Sequence, residues 1–431
     1  MPTPLKTIFN ALTRRPVLAL LDQCVASGTR FLAFLLIGRF AGPTELGVYT
    51  IIVAMVIGTN LIQEALIARP YQVFLQRMST RRQRSFSGST LTQFIGLAAL
   101  FAVLSIVGGV AFGLWKGWDS NFTLLAFALA IQLPGTLCWD FSRRYAFAKL
   151  NMGGAIVIDT GLAIVQIGSL LVIHGVTSRL TALHAVLAVG TSSLVVGLAA
   201  LGYWSIEFSL SRKRLWLDAV KNFRFGSWLL IGQFIGFVQG YSIPYLLAAT
   251  VGMEATGIFM ACQQVVLLSN PFLLGISNWL GPQLASTHHL GGLLGLARLT
   301  RLSYLTLGGL MSAFWLVLVF YGELAIGLLF GDKYIGYGNM LAFLGATMVG
   351  FALSIAGTAA LAAMNRTRII MVGTFCGTIM GFATFFPFVY VWGLSGAAAA
   401  LGLGSLTSGM VHVVGFEWCF KRENHNWIAE G

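Results

Sequence analysis

The chain has 431 residues, 57% of them hydrophobic and only 10% charged, with a mean hydropathy of +0.82 and a formal net charge of +13. This composition excludes a soluble globular domain and a disordered chain, and indicates a polytopic membrane protein. The positive balance does not point to nucleic acid, because the basic residues fall in short segments between apolar runs, where positive charge orients helices in a membrane.

Twelve apolar segments follow one another, each near the roughly 20 residues that a helix needs to cross a bilayer. The first, 17–40, comes after Lys6, Arg14 and Arg15 with no small-residue cleavage site, so it is expected to stay as a helix and not to leave as a signal peptide. It holds Asp22, Gln23, Ser27 and Arg30. Gln23, Ser27 and Arg30 stand at i, i+4 and i+7, one stripe of a helix. A charge at bilayer depth generally faces a protein-lined cavity and marks a pathway. A cation on a polar stripe therefore suggests a cavity for something anionic. The alternative is that Arg30 snorkels, or pairs with Asp22 as a packing device.

The second segment, 46–68, carries Asn60, Gln63 and Glu64 at i, i+3 and i+4, which suits cavity lining or hydrogen-bond glue between helices. The third is 88–114. The fourth, 121–147, contains Asp140 three and four residues before Arg143 and Arg144, a spacing for an intrahelical ion pair. In the fifth, 152–176, Asp159 and Gln166 share a face. Asp159, like Asp22, is a candidate coupling-ion site for H⁺ or Na⁺; the alternative is a pair with an arginine such as Arg144. The sixth is 181–204, and the basic stretch 205–222 reads as an inter-lobe linker. Within it, Ser211 to Val220 has the pattern of an amphipathic helix at the inner interface.

The seventh, 223–249, offers Gln233, Gln239 and Tyr241, and the eighth, 253–279, offers Gln263 and Gln264, candidates to line the opposite wall of the cavity. Asn270, also in the eighth, is the counterpart of Asn60 and suits glue or cavity lining in the same way. The rest are 302–326, 338–363, 368–391 and 394–418. His412 in the last is expected to be merely hydrogen-bonded. Pro134, Pro244, Pro271 and Pro387 predict kinks. Cys24, Cys138, Cys262, Cys376 and Cys419 lack metal spacing and read as small buried hydrophobes.

With the amino terminus placed inside, 22 of the 27 lysines and arginines fall in inner segments. Only Arg39, Lys116, Arg179 and Lys333 fall in outer ones, and Arg30 lies within a span. A missed or extra helix would scramble this split, so twelve spans with both termini cytoplasmic are expected.

A repeat reinforces the even count. Gly42-Pro-Thr-Glu-Leu-Gly47-Val-Tyr49 between the first two spans is matched by Gly252-Met-Glu-Ala-Thr-Gly257-Ile-Phe259 between the seventh and eighth. Thr59/Ser269 and Asn60/Asn270 continue the same offset without a gap. Two copies of six helices have the same orientation, a parallel repeat of the kind transporters use. The fold expected is an all-α polytopic membrane protein, with twelve transmembrane helices in two pseudo-symmetric six-helix lobes around a central cavity. The lobes are 1–204 and 223–431.

These residues resemble the polysaccharide transporters, the Wzx-like flippases, of the multidrug/oligosaccharidyl-lipid/polysaccharide exporter superfamily. The resemblance rests on the first hairpin, Ser27-Gly-Thr-Arg-Phe to Leu36-Ile-Gly-Arg-Phe-Ala-Gly-Pro-Thr-Glu-Leu-Gly-Val-Tyr49. It is supported by Arg144-Tyr-Ala-Phe-Ala-Lys149, Leu329-Phe-Gly-Asp-Lys-Tyr334 and Gly393-Leu-Ser-Gly-Ala-Ala-Ala398. It implies alternating-access export of a polyprenyl-pyrophosphate-linked oligosaccharide across the bacterial cytoplasmic (inner) membrane, with polysaccharide assembly proteins as partners and H⁺ or Na⁺ for coupling. On that reading Arg30 contacts the pyrophosphate, since a guanidinium fork matches phosphate oxygens. Drug/cation exporters of the same superfamily tend to use acidic residues, so Asp22, Asp140 and Asp159 keep that alternative open. No motif of a hydrolase, P-loop or metal enzyme is present, and no cofactor is expected. A membrane glycan polymerase or ligase typically carries a large external loop, whereas every outer loop here is short.

Overall fold

The computed structural model describes residues 4–75, 77–118, 120–205, 208–209 and 211–430. The side chains of Lys6, Arg14, Arg15, Arg212, Lys213 and Gln239 lie outside that description. Among the described residues the secondary structure is helical throughout, with no strand. The order is α1 (Pro4–Ala41), α2 (Pro43–Gln63), a π turn (Glu64–Ala68), α3 (Arg69–Leu75), α4 (Thr80–Lys116), α5 (Asn121–Ala148), α6 (Met152–Thr177) and α7 (Ala182–Tyr203). Then come α8 (Arg212–Thr250), α9 (Met253–Val266), α10 (Asn270–Phe330), α11 (Gly338–Ala363), α12 (Thr367–Trp392) and α13 (Leu394–Glu430).

All twelve expected spans fall in helix. Ten helical stretches of the described residues are long and apolar enough to cross a membrane. One of them, Met253–Phe330, is 78 residues long. It contains both the eighth and the ninth expected spans, and α10 breaks between them at Gly292, whose φ is +62°. The seventh span, α8, is not among the ten, because Gln233, Gln239, Tyr241 and several glycines dilute its apolar content.

The chain divides into two compact units, Met1–Ala249 and Thr250–Gly431. In the first, α5 packs between α4 and α7, and α1 lies on α6. Aromatic rings fill its centre: Phe94 stacks on Phe141 at 4.9 Å and Tyr145 lies 5.1 Å from Trp204. In the second, α11 packs against α10 and α13, and α12 against α13.

Helix α8 belongs to the first unit, and its sequence shows why. Asp218 pairs with Arg82 of α4, Asn222 donates to Gln93 Oε1 at 3.0 Å, and Phe225 meets Phe74 edge-on at 5.2 Å. Gly226 sits so close to the π turn that a Cβ there would overlap the Ala65 carbonyl oxygen. The expected amphipathic segment is the first part of this helix, with Trp216, Leu217 and Phe223 exposed.

The repeat extends to local conformation. Gly42 and Gly252 both precede a helix in an extended left-handed conformation, with φ of +93° and +116° and ψ of 178° and 175°. Only glycine adopts this without strain. Tyr49 and Phe259 are both buried. Thr59 donates to Val56 O at 2.8 Å, and Ser269 donates to Val266 O at 2.9 Å, the same bond one repeat later. Beyond this point the copies diverge: the first passes into the π turn, while the second reaches Asn270 through a 3₁₀ turn, Leu267–Ser269.

Candidate functional site

The polar residues of the first unit meet where α1, α2, α5 and α6 come together. Arg143 on α5 is the hub. Its Nη2 donates to Asp22 Oδ2 of α1 at 2.5 Å. Its Nε lies 2.7 Å from Asp159 Oδ2 of α6, an ion contact without hydrogen-bond alignment. Trp139, one turn before Arg143, donates its indole N–H to the other Asp159 oxygen at 3.1 Å. Both carboxylates are buried. Two buried acids thus share one guanidinium, which holds both in place with the Trp139 indole as a further donor to Asp159.

Arg144, the next residue, serves the neighbouring pair. It donates to Asp140 Oδ2 at 2.7 Å and to Glu64 Oε2 at 2.9 Å. The other Glu64 oxygen accepts from Arg69 Nε at 2.8 Å. Gln63 is buried and donates to Leu137 O at 3.0 Å and to Asp140 Oδ2 at 3.2 Å. Asp140 therefore makes the expected intrahelical pair, with Arg144 at i+4. Asp159 pairs with Arg143 and not with Arg144. Arg143 and Arg144, counted above among the inner-loop charges, are working members of a buried network.

Arg30 stands apart. The alternative that it pairs with Asp22 is not realised: Asp22 is held by Arg143, and Arg30 directs its Nε to Ala26 O of its own helix at 3.3 Å. Among the described residues no carboxylate lies within ion-pair distance of it. Its charge is felt by Arg143, Tyr241, Asp159 and Asp140, so it borders the network, and it is exposed. Four acids (Asp22, Glu64, Asp140 and Asp159) and three arginines (Arg69, Arg143 and Arg144) leave one negative charge over, which Arg30 balances from a distance. Its terminal nitrogens hold no carboxylate among the described residues.

The other candidates divide. Gln23 is half-buried and donates to Ser27 at 3.2 Å, completing the stripe that ends in Arg30. Asn60 and Gln233 are half-buried, and each has a buried side-chain oxygen without a hydrogen-bond partner. Gln63 and Glu64 are engaged inside the network. Gln263 and Asn270 belong to the second unit and are half-buried. His412 is hydrogen-bonded as expected, to Ile370 O at 3.0 Å and Ser354 at 3.3 Å. Sequence reasoning missed Arg143 as the hub and Trp139 as the donor to Asp159. The available signal was an Arg-Arg pair three and four residues after an acidic residue inside an apolar span.

No protein-family model and no curated protein matches the chain. Solved structures do. The chain is similar to a multidrug resistance MATE family transporter of the MOP superfamily in its inward-facing conformation, with a TM-score of 0.66 and 16% identity over 95% of this chain and 94% of that one. It is similar to such a transporter in the outward-facing conformation, with a TM-score of 0.63 and 14% identity over 96% and 95%. A MOP superfamily transporter from Pyrococcus furiosus, described as having a binding pocket of reverse polarity, gives 0.60 and 15% over 96% and 95%. The fold of this chain is that of the MATE transporters of the MOP superfamily.

Proposed function

We propose that the chain is an alternating-access membrane exporter whose substrate is anionic, a polyprenyl-pyrophosphate-linked oligosaccharide used in surface or exopolysaccharide assembly. One observation carries this reading. Every acid of the first-unit network is already engaged by an arginine, while Arg30 is exposed and holds no carboxylate. Arg30 brings the group to four acids and four arginines, and because its guanidinium holds no carboxylate it offers an anion a fork that suits a pyrophosphate. Asn60 and Gln233, with unpartnered amide oxygens, suit sugar hydroxyls. The pseudo-symmetric units of the repeat are 1–204 and 223–431, with 205–222 joining them.

A second reading is a cation-coupled small-molecule exporter. It is favoured by the multidrug transporters among the similar structures and by Asp22 and Asp159, two carboxylates sharing one arginine. The Pyrococcus furiosus protein, whose pocket is described as of reverse polarity, is a precedent for changed charge on this fold. On either reading protonation of one of these acids would loosen the Arg143 bridge and supply the coupling step.

Reconstituted vesicles separate the two. A fluorescent polyprenyl-pyrophosphate saccharide should reach the opposite leaflet with wild-type protein and fail to do so with Arg30→Ala. Transport of a cationic dye at normal rate by Arg30→Ala, with no movement of the lipid-linked saccharide by wild type, would refute the first reading.

A further inference from the structure

Arg30 is not alone at its place in the first unit. Tyr241 of α8 lies within electrostatic reach of it, and no hydrogen bond joins the two. Among the described residues Arg30 commits only its Nε, to Ala26 O. The Tyr241 side chain is half-buried, yet among the described residues its hydroxyl makes no hydrogen bond. A buried phenol ordinarily finds a partner. Tyr71 of the same unit does, bonding Ser87 at 2.8 Å. Two donor groups from different helices, α1 and α8, are therefore uncommitted near each other.

The Tyr241 ring is held in place by its neighbours. It stacks on Phe237, one turn earlier on α8, with centroids 5.1 Å apart and planes 25° from parallel. Phe237 lies over Gly58 of α2, where a Cβ would come 3.5 Å from the ring. Phe234 packs on Phe237 in turn, at 6.2 Å. A tyrosine has only two side-chain torsions, so a stacked ring presents its hydroxyl at little further entropic cost. An O–H donated to an anionic oxygen is about twice as strong as one donated to a neutral acceptor.

We propose that Arg30 and Tyr241 form a two-point clasp for a diphosphate. The guanidinium holds one phosphate, and the phenol O–H donates to an oxygen of the other. The clasp rests on the pyrophosphate reading of the substrate and sharpens it, because it selects a diphosphate over a monophosphate. A site that hydrogen-bonds a group rejects the analogue that lacks it. A polyprenyl carrier with a single phosphate gives Arg30 its anion but leaves Tyr241 unbonded, so the loaded carrier is taken and the bare monophosphate is passed over. Phe237 is a positioning residue that acts through the tyrosine ring.

Binding of farnesyl diphosphate and farnesyl monophosphate, identical in chain and free of sugar, to the whole protein in detergent tests this. Wild type should prefer the diphosphate. Tyr241→Phe keeps the ring stack and removes only the hydroxyl. It should weaken the diphosphate about tenfold, the effect of one hydrogen bond to a charged group, and leave the monophosphate unchanged. Its melting temperature should match wild type, since that hydroxyl bonds to nothing in the protein. Phe237→Ala should lower the diphosphate affinity severalfold and spare the monophosphate. Arg30→Ala should weaken both probes. Wild-type diphosphate affinity in Tyr241→Phe, beside a loss in Arg30→Ala, would overturn the clasp and leave the pyrophosphate reading standing. Equal weakening of both probes in Tyr241→Phe would also overturn it, since the tyrosine would then act through packing. If wild type binds neither probe, or Arg30→Ala binds both as wild type does, the pyrophosphate reading falls and the clasp falls with it.

Discussion

Asp22 and Asp159 are joined through a single guanidinium, Arg143, at 2.5 and 2.7 Å, so α1 and α6 are tied to α5 by one side chain. Removing that side chain leaves two carboxylates buried without a partner. Removing one partner of a buried ion pair costs about 3–5 kcal/mol. Arg143→Gln should therefore lower thermal stability in detergent severely, and Asp22→Asn/Arg143→Met/Asp159→Asn, which discharges the triad together, should recover most of the loss. A single variant as stable as wild type would show that the triad bears no folding load.

Arg30 makes the opposite prediction. It has no carboxylate partner, so Arg30→Ala should lower stability far less than Arg143→Gln. Transport should nevertheless be lost, and Arg30→Lys should be partly active because a point charge lacks the bidentate fork. Asp22→Asn/Arg30→Ala should stay inactive. Recovery of transport in that double variant would mean that Arg30 acts through Asp22 and not on a substrate.

The two repeat glycines offer a test of internal equivalence. Gly42→Ala and Gly252→Ala each force a side chain into the left-handed region, at a cost of roughly 1–2 kcal/mol. The sites are far apart in the chain and share no partner, so the losses should add in the double variant. Unequal or non-additive shifts in melting temperature would argue against equivalent local roles.

Topology is testable by labelling cysteines from either side of the membrane. The charge split predicts that a cysteine beside Asp332 is reached from outside, whereas one replacing Arg82 is not. Outside labelling at position 82 would invert or break the twelve-span arrangement.

How much of this could be read from the sequence depends on the range of the interaction. The spans are recorded in local apolar content, and the turn before α2 in glycine spacing that its twin repeats before α9. The isolation of Arg30 on a stripe with Gln23 and Ser27 is likewise a matter of helical period. What escaped was everything decided through space. Asp22 has a tempting partner eight positions away on its own helix, yet it pairs with Arg143, brought in by the packing of α5. Helix α8 opens the second repeat by sequence, and its contacts with α4 and the π turn through Asp218, Asn222 and Gly226 are ones that no periodicity announces. The π turn was also invisible, because an α-helical stripe at Asn60, Gln63 and Glu64 reads the same whether or not the next turn is widened.

That widened turn decides a pairing. In a regular helix, five residues separate two side chains by about 140° of rotation, so Glu64 and Arg69 would point to different sides. Here the Arg69 amide donates to Glu64 O, five residues back, and the side chains meet at 2.8 Å. The helix therefore carries one residue of slack at this depth. Taking it up by deleting a single residue from 65–68 would return Glu64 and Arg69 to i, i+4, the spacing at which such a pair forms on a regular helix. The same slack allows the stretch above the turn to rotate against the stretch below it without breaking the chain of backbone hydrogen bonds, a swivel set beside the charges that such a motion would have to rearrange.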